Sequence, residues 1–155
     1  MRRLALLLPT LILGGMIGGC GDRNVTPFLG KWTGGLEVLR VQGGGDPKPY
    51  ELHGDLQMYV RKFELNLTGP QQTVMARGTW SYEGKRVRLR ATSIKFGDAG
   101  GAEQRDPNKA YLEPQDLQAF LGREQGLNLS QDGKRLAGVE DGLANLIARL
   151  AFVKD

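Results

Sequence analysis

Apolar and polar residues alternate with a period of two along much of this chain, the mark of strands with one buried face. Lys62-Phe63-Glu64-Leu65-Asn66-Leu67-Thr68 puts Phe63, Leu65 and Leu67 on one side. Arg86-Val87-Arg88-Leu89-Arg90-Ala91 turns Val87, Leu89 and Ala91 inward and three arginines outward, and Leu127-Asn128-Leu129-Ser130 repeats the pattern. Turn chemistry separates these runs. Tyr82-Glu83-Gly84-Lys85 and Gln131-Asp132-Gly133-Lys134 predict tight hairpins, the second leading into Leu136–Glu140. Thr68-Gly69-Pro70 ends the Phe63 strand, and Gly43-Gly44-Gly45-Asp46-Pro47 closes a first strand running roughly from Gly30 to Val41. Between Leu52 and Lys62 no good turn signal stands out. Two readings stay open there: a hairpin at Tyr59-Val60-Arg61, or one long bulged strand.

Residues 97–126 break the pattern. Gly97 to Lys109 is glycine-rich and polar, a loop. Glu113-Pro114 then precedes Leu117, Phe120 and Leu121, with Gly122 beyond them, which frames a short amphipathic helix. Insertions of this length often act as lids or plugs. At the C-terminus, Leu143, Leu146, Ile147 and Leu150 fit helical spacing behind Asp141, whereas 148–153 also alternates, with Leu150 and Phe152 inward. A strand is preferred, because it closes the sheet and removes its edges. The count is then about eight strands: an all-β antiparallel meander barrel with one short helix in an insertion and an N-terminal signal helix.

Composition narrows the chemistry. The 155 residues include 23 glycines but one cysteine and one histidine, so an intramolecular disulfide and a multi-histidine metal site are excluded. The net charge of +4 is partly a leader effect. Of the first 19 residues 11 are apolar, none is acidic, and Arg2 and Arg3 are the only charges. Without them the chain carries +2, a solvated-surface value and not a nucleic-acid footprint.

Met1-Arg2-Arg3 followed by the apolar run Leu4–Met16 is too short to span a membrane comfortably and reads as a secretory signal. It ends in Ile17-Gly18-Gly19-Cys20, which resembles the lipobox of bacterial lipoproteins, where the cysteine is diacylated and becomes the new N-terminus. That resemblance implies a signal peptide over 1–19, a lipidated Cys20 with a short polar tether over 20–27, and a domain over 28–155 held at the membrane of the cell envelope. Two or three acyl chains, at about 0.8 kcal/mol per buried methylene, anchor a protein essentially permanently. In that family an aspartate right after the cysteine marks inner-membrane retention. Here the position is Gly21, which favours the outer membrane in a cell that has two. The sequons at Asn24, Asn66 and Asn128 are chance matches in such a protein.

Phe28-Leu29-Gly30-Lys31-Trp32-Thr33-Gly34 and Ala76-Arg77-Gly78-Thr79-Trp80-Ser81-Tyr82 echo each other. The first resembles the Gly-x-Trp opening strand of lipocalins and fatty-acid-binding proteins. The second, with the hairpin over Leu127–Leu136, looks like small bacterial lipocalin-like domains. The resemblance implies a barrel whose closed end is plugged by Trp32, with Arg149 packed over that ring. It also implies an interior able to hold a small apolar or amphipathic ligand, lined by Leu56, Met58, Phe63, Leu65, Leu67, Val87 and Leu89. The same side chains equally build a filled core.

Catalytic constellations are missing from the sequence. Cys20 is committed to lipid, and His53 falls on the outer face of its strand. No phosphate loop or EF-hand spacing occurs. The expectation is a non-enzyme without metal or cofactor. Lys85, Arg86, Arg88 and Arg90 form a basic stripe that reads as a solvated face or as a contact for anionic headgroups. A second reading of function is a protein-interaction lipoprotein, an envelope assembly factor or an inhibitor of an external hydrolase, working through residues 97–126.

Overall fold

The computed structural model describes residues 24–41, 50–70, 72–98, 114–139, 141–143 and 146–155. The signal segment, Cys20, the tri-glycine turn and the loop after residue 98 lie outside the described residues. Strands β1 (Gly30–Val41), β2 (Tyr50–Met58), β3 (Lys62–Thr68), β4 (Gln72–Glu83) and β5 (Arg86–Asp98) follow one another. Then come helix α1 (Pro114–Leu121) and strands β6 (Gln125–Leu129), β7 (Arg135–Gly138), β8 (Asp141–Leu143) and β9 (Leu146–Lys154). Each strand pairs antiparallel with the next as far as β7, β7 and β8 both pair with β9, and β9 pairs with β1. The sheet therefore closes.

The ring has eight positions although nine strands are named. β7 pairs with residues 151–153 and β8 with 146–148, so the two occupy one edge of β9 in succession. A one-residue register change between them makes them a single broken strand. An eight-strand antiparallel meander barrel with one short helix fits a lipocalin-like fold.

Alternation decides which side chains enter the barrel. β3 buries Phe63, Leu65 and Leu67, and β4 buries Val74, Ala76 and Trp80. From β1 and β2 come Trp32, Leu36, Leu52, Leu56 and Met58, and from β9 Ala148, Leu150 and Phe152. The two Gly-x-Trp glycines serve different ends. Gly30 has φ of 110°, in the left-handed region that disfavours a side chain. At Gly78 a Cβ would lie 2.0 Å from the Arg90 carbonyl oxygen, so β4 and β5 can approach there only without one.

The structure decides the readings left open at the β2–β3 connection and the C-terminus, and it lengthens β5. The β2–β3 connection is a hairpin, with the Tyr59 N–H donating to the Lys62 carbonyl at 2.9 Å. β5 does not stop near Ala91 but runs to Asp98, through a register shift opposite Arg77/Gly78. Gly97 and Asp98, expected in the loop, belong to β5. The C-terminal segment is strand and not helix, since β1 and β7 supply both of its partners. Ahead of β1, Phe28 N–H donates to the Val25 carbonyl at 2.9 Å, and Val25 packs against the core.

Candidate functional site

The barrel has two ends of different construction. At the first, Trp32 is fully buried and its Nε1 donates to the Phe28 carbonyl at 2.9 Å. Trp80 is tied in the same way, its Nε1 donating to the Tyr59 carbonyl at 2.7 Å. Phe28 packs edge-on against Trp80 with ring centroids 5.8 Å apart, and Tyr82 sits 5.4 Å from Phe28. A buried tryptophan removes on the order of 200 Å² from water, and its one polar atom must find an acceptor. Both conditions are met twice here. Trp32, the residue expected to plug the barrel, is buried at this end, and Phe28, Trp80 and Tyr82 form an aromatic cluster beside it.

The partner expected over Trp32 is corrected. Arg149 is not there: on β9 it alternates with the inward Ala148 and Leu150, and it lies opposite Glu37, five residues along β1 from Trp32. Its Nε donates to Glu37 Oε2 at 2.6 Å on the outer face. Lys154, which shares the inward parity of Leu150 and Phe152, holds its ammonium 5.2 Å from the Trp32 ring centroid and donates to the Pro27 carbonyl at 2.8 Å. The cation–π contact exists with a different cation, from the strand's last turn of alternation.

The second end is covered by α1. Pro114 starts the helix where its missing N–H has no intrahelical partner, and Asp116 in the first turn complements the helix dipole. Leu117, Phe120 and Leu121 are buried in the barrel core. The Gln125 side chain, itself buried, donates Nε2 to the Phe120 carbonyl at 2.6 Å and satisfies one of the helix's terminal acceptors. The outward residues Gln115, Asp116 and Gln118 are exposed, so the helix spends its whole apolar face inside.

All seven residues expected to line a cavity, Leu56, Met58, Phe63, Leu65, Leu67, Val87 and Leu89, are buried together in one core. Beneath α1, a void of about 10 Å³ remains between Phe63, Leu65, Leu89 and Leu121. That holds at most about one water. Among the described residues, the side chains around this void pack into one buried core.

On the outer face, Lys62, Thr79 and Arg90 stand in one register row across β3, β4 and β5. An open groove of about 390 Å³ lies beside them, bounded by Tyr59, Glu64, Arg77 and Thr92. Thr92 Oγ1 donates to the Arg77 carbonyl at 3.2 Å where β5 bulges. The basic stripe is not uniform. Arg88 is held by Glu83 at 3.1 Å and approaches Glu124 at 3.9 Å, whereas Lys85, Arg86 and Arg90 have no ion-pair partner among the described residues. His53 is exposed, with Nε2 3.0 Å from Glu51 Oε2. Among the described residues no three His, Cys, Asp or Glu side chains gather as a metal site, and no helix is long and apolar enough to cross a membrane.

No family model and no curated protein matches the chain. Among solved structures it is similar to the crystal structure of Rv2717c from M. tuberculosis, at 18% identity and a TM-score of 0.37, over 85% of this chain and 96% of that one. The likeness is distant.

Proposed function

We propose that this chain is a lipid-anchored, lipocalin-like lipoprotein of the bacterial cell envelope, not an enzyme, that takes up a small apolar or amphipathic ligand at the α1 end of its barrel. The observation that carries this reading is the unequal closure of an apolar lumen. One end is locked by hydrogen-bonded aromatic rings, the other covered by an eight-residue helix. Ligand sites generally need about 300 Å³ or more. The void of about 10 Å³ under Leu121 is far smaller, so the ligand takes the place of Leu117, Phe120 and Leu121 as α1 withdraws. Anchoring is supported by the basic start, the apolar run and Cys20, and an outer-membrane address by Gly21.

The test is mass spectrometry of the protein recovered from membranes of its own host. The denatured mass is expected to exceed the polypeptide 20–155 by acyl groups, and the native mass to carry a small molecule that denaturation releases. An unmodified Cys20 overturns the anchor. A bare native mass overturns the carrier. The smallness of the void under Leu121 favours one further reading, a partner-binding module that uses residues 97–126. Gln115→Ala with Gln118→Ala on the exposed face of α1 then abolishes partner capture while leaving the fold intact.

A further inference from the structure

The turns at the Trp32 end share one rim. Trp80 N–H reaches the Arg61 carbonyl, Leu129 N–H the Lys85 carbonyl, Lys154 N–H the Lys134 carbonyl, and Asp155 N–H the Lys31 carbonyl. These links join the start of β1 to all three hairpins and to the end of β9. Charge on this rim is lopsided. Over 24–31, 59–62, 83–86, 129–135 and 153–155 there are eight basic side chains and three acidic ones, a net +5. The other described residues carry seven basic and eight acidic side chains, a net −1. Among the described residues the positive charge is concentrated at this end of the barrel.

The rim's carboxylates are also occupied. Glu83 pairs with Arg88, Asp132 with Ser130 inside its own turn, and Asp155 with Lys31 and Thr33. Lys154 is taken by Trp32 and Pro27. That leaves Arg61, Lys62, Lys85, Arg86, Lys134 and Arg135 without an ion-pair partner among the described residues. Beside Arg61, Tyr59 is 48% and Val60 63% exposed, an apolar tip on a basic rim. Tyrosine and aliphatic groups ringed by Lys and Arg suit the boundary between anionic headgroups and acyl chains.

We infer that this end of the barrel docks on an anionic lipid surface, with Tyr59 and Val60 at the headgroup boundary and the basic rim around them. The inference rests on the anchored reading for its geometry. The chain enters the barrel at this same end, and the four steps from Cys20 to Asn24 reach at most roughly 14 Å. The α1 end, a twelve-residue strand away at a tilt of about 40°, stands roughly 30 Å farther from the bilayer. Docking therefore presents α1 outward. It also relocates the expected basic contact: Lys85 and Arg86 belong to it, and the paired Arg88 does not.

The experiment uses the full chain, purified with its own anchor and reconstituted into phosphatidylcholine vesicles with and without phosphatidylglycerol. An environment-sensitive maleimide dye is placed at Val60→Cys, or at Val139→Cys as an exposed reference away from the rim. The expected result is a blue shift at position 60 only, and only with phosphatidylglycerol. Arg61→Glu with Lys62→Glu is expected to lower the docked-to-undocked ratio by tenfold or more, at about fivefold for each basic residue near an anionic surface. No shift at 60, or an equal shift at 139, overturns the inference. So does a shift that soluble dextran sulfate produces with neutral vesicles, which assigns the rim to an acidic polymer instead. The unsubstituted chain separates the two readings, because an acylated Cys20 has no free thiol. If it takes up dye, the anchor is wrong, and flotation of the same chain with anionic against neutral vesicles still decides the docking.

Discussion

The two ends of the barrel solve one problem by different means. Closing a β-barrel leaves two openings through which water reaches the apolar lumen. At the Trp32 end the strands themselves supply the closure, since Trp32 and Trp80 sit within β1 and β4 and their positions follow from the sheet register. Each ring is then fixed by a hydrogen bond to a backbone carbonyl, which specifies its orientation. At the α1 end the closure comes from a separate helix, held by three apolar side chains and the Gln125 contact. A plug made of strand residues cannot leave without unzipping the sheet. A helix placed over the mouth can leave while the ladder stays intact. The difference teaches where rigidity and exchange reside in this fold.

The sharpest way to break that comparison is to empty each plug in turn. Trp32→Ala is expected to cost about 3–5 kcal/mol, because the surrounding sheet cannot collapse into the space. Urea denaturation measures it. Trp32→Phe, which keeps most of the volume, leaves the Phe28 carbonyl without its donor and costs about 1–3 kcal/mol, a loss that is measurable even if the alanine variant fails to fold. Phe120→Ala is expected to cost less than Trp32→Ala, about 3 kcal/mol at the low end for such a truncation, because an eight-residue helix can settle into the gap. Its amides should exchange with solvent well before those of β1, by hydrogen exchange. Equal costs and equal exchange at the two ends would erase the distinction.

A smaller effect separates the aromatic plug from its cation. Lys154→Met keeps the length of the side chain but removes both the charge over Trp32 and the donor to Pro27. The expected loss is about 1 kcal/mol, read by the same denaturation, and it weakens as salt is added. If Arg149→Met costs as much through Trp32 fluorescence as Lys154→Met does, the assignment of the cation is wrong.

The origin of that assignment shows how far the residues alone could lead. Alternation that points Leu150 and Phe152 inward already points Arg149 outward and Lys154 inward, so the cation was legible and the family resemblance pointed elsewhere. The β5 extension was not legible in the same way. Val87, Leu89 and Ala91 hold the inward parity, but beyond the bulge Ile94 and Phe96 carry it on even numbers, and a period-two reading loses the strand there. The Tyr59–Lys62 turn lacks glycine, asparagine and proline, so only the pairing of β2 with β3 reveals it. α1 was readable from Pro114, Gly122 and its apolar spacing. That its apolar face fills the lumen depends on tertiary packing, which no local pattern encodes.

The least of the effects tests the rim of the aromatic end. Asp132 lies in the turn before β7 and is fully exposed, yet its carboxyl is held below the ordinary carboxylate range. The Ser130 hydroxyl is the main cause, followed by the Lys134 backbone N–H, with the charges of Lys134 and Arg135 adding to them. A lowered folded-state pKa means that the turn's contribution is fully present above the unfolded carboxylate value. It fades as the pH falls through the folded one. Ser130→Ala removes the first cause, so the Asp132 titration followed by NMR should move up toward the ordinary carboxylate range. Stability at neutral pH should fall only slightly, since solvent screens the interaction. An unmoved midpoint means that the turn does not hold its geometry in solution, and the Trp32 end would then be rigid in its rings but not at its edge.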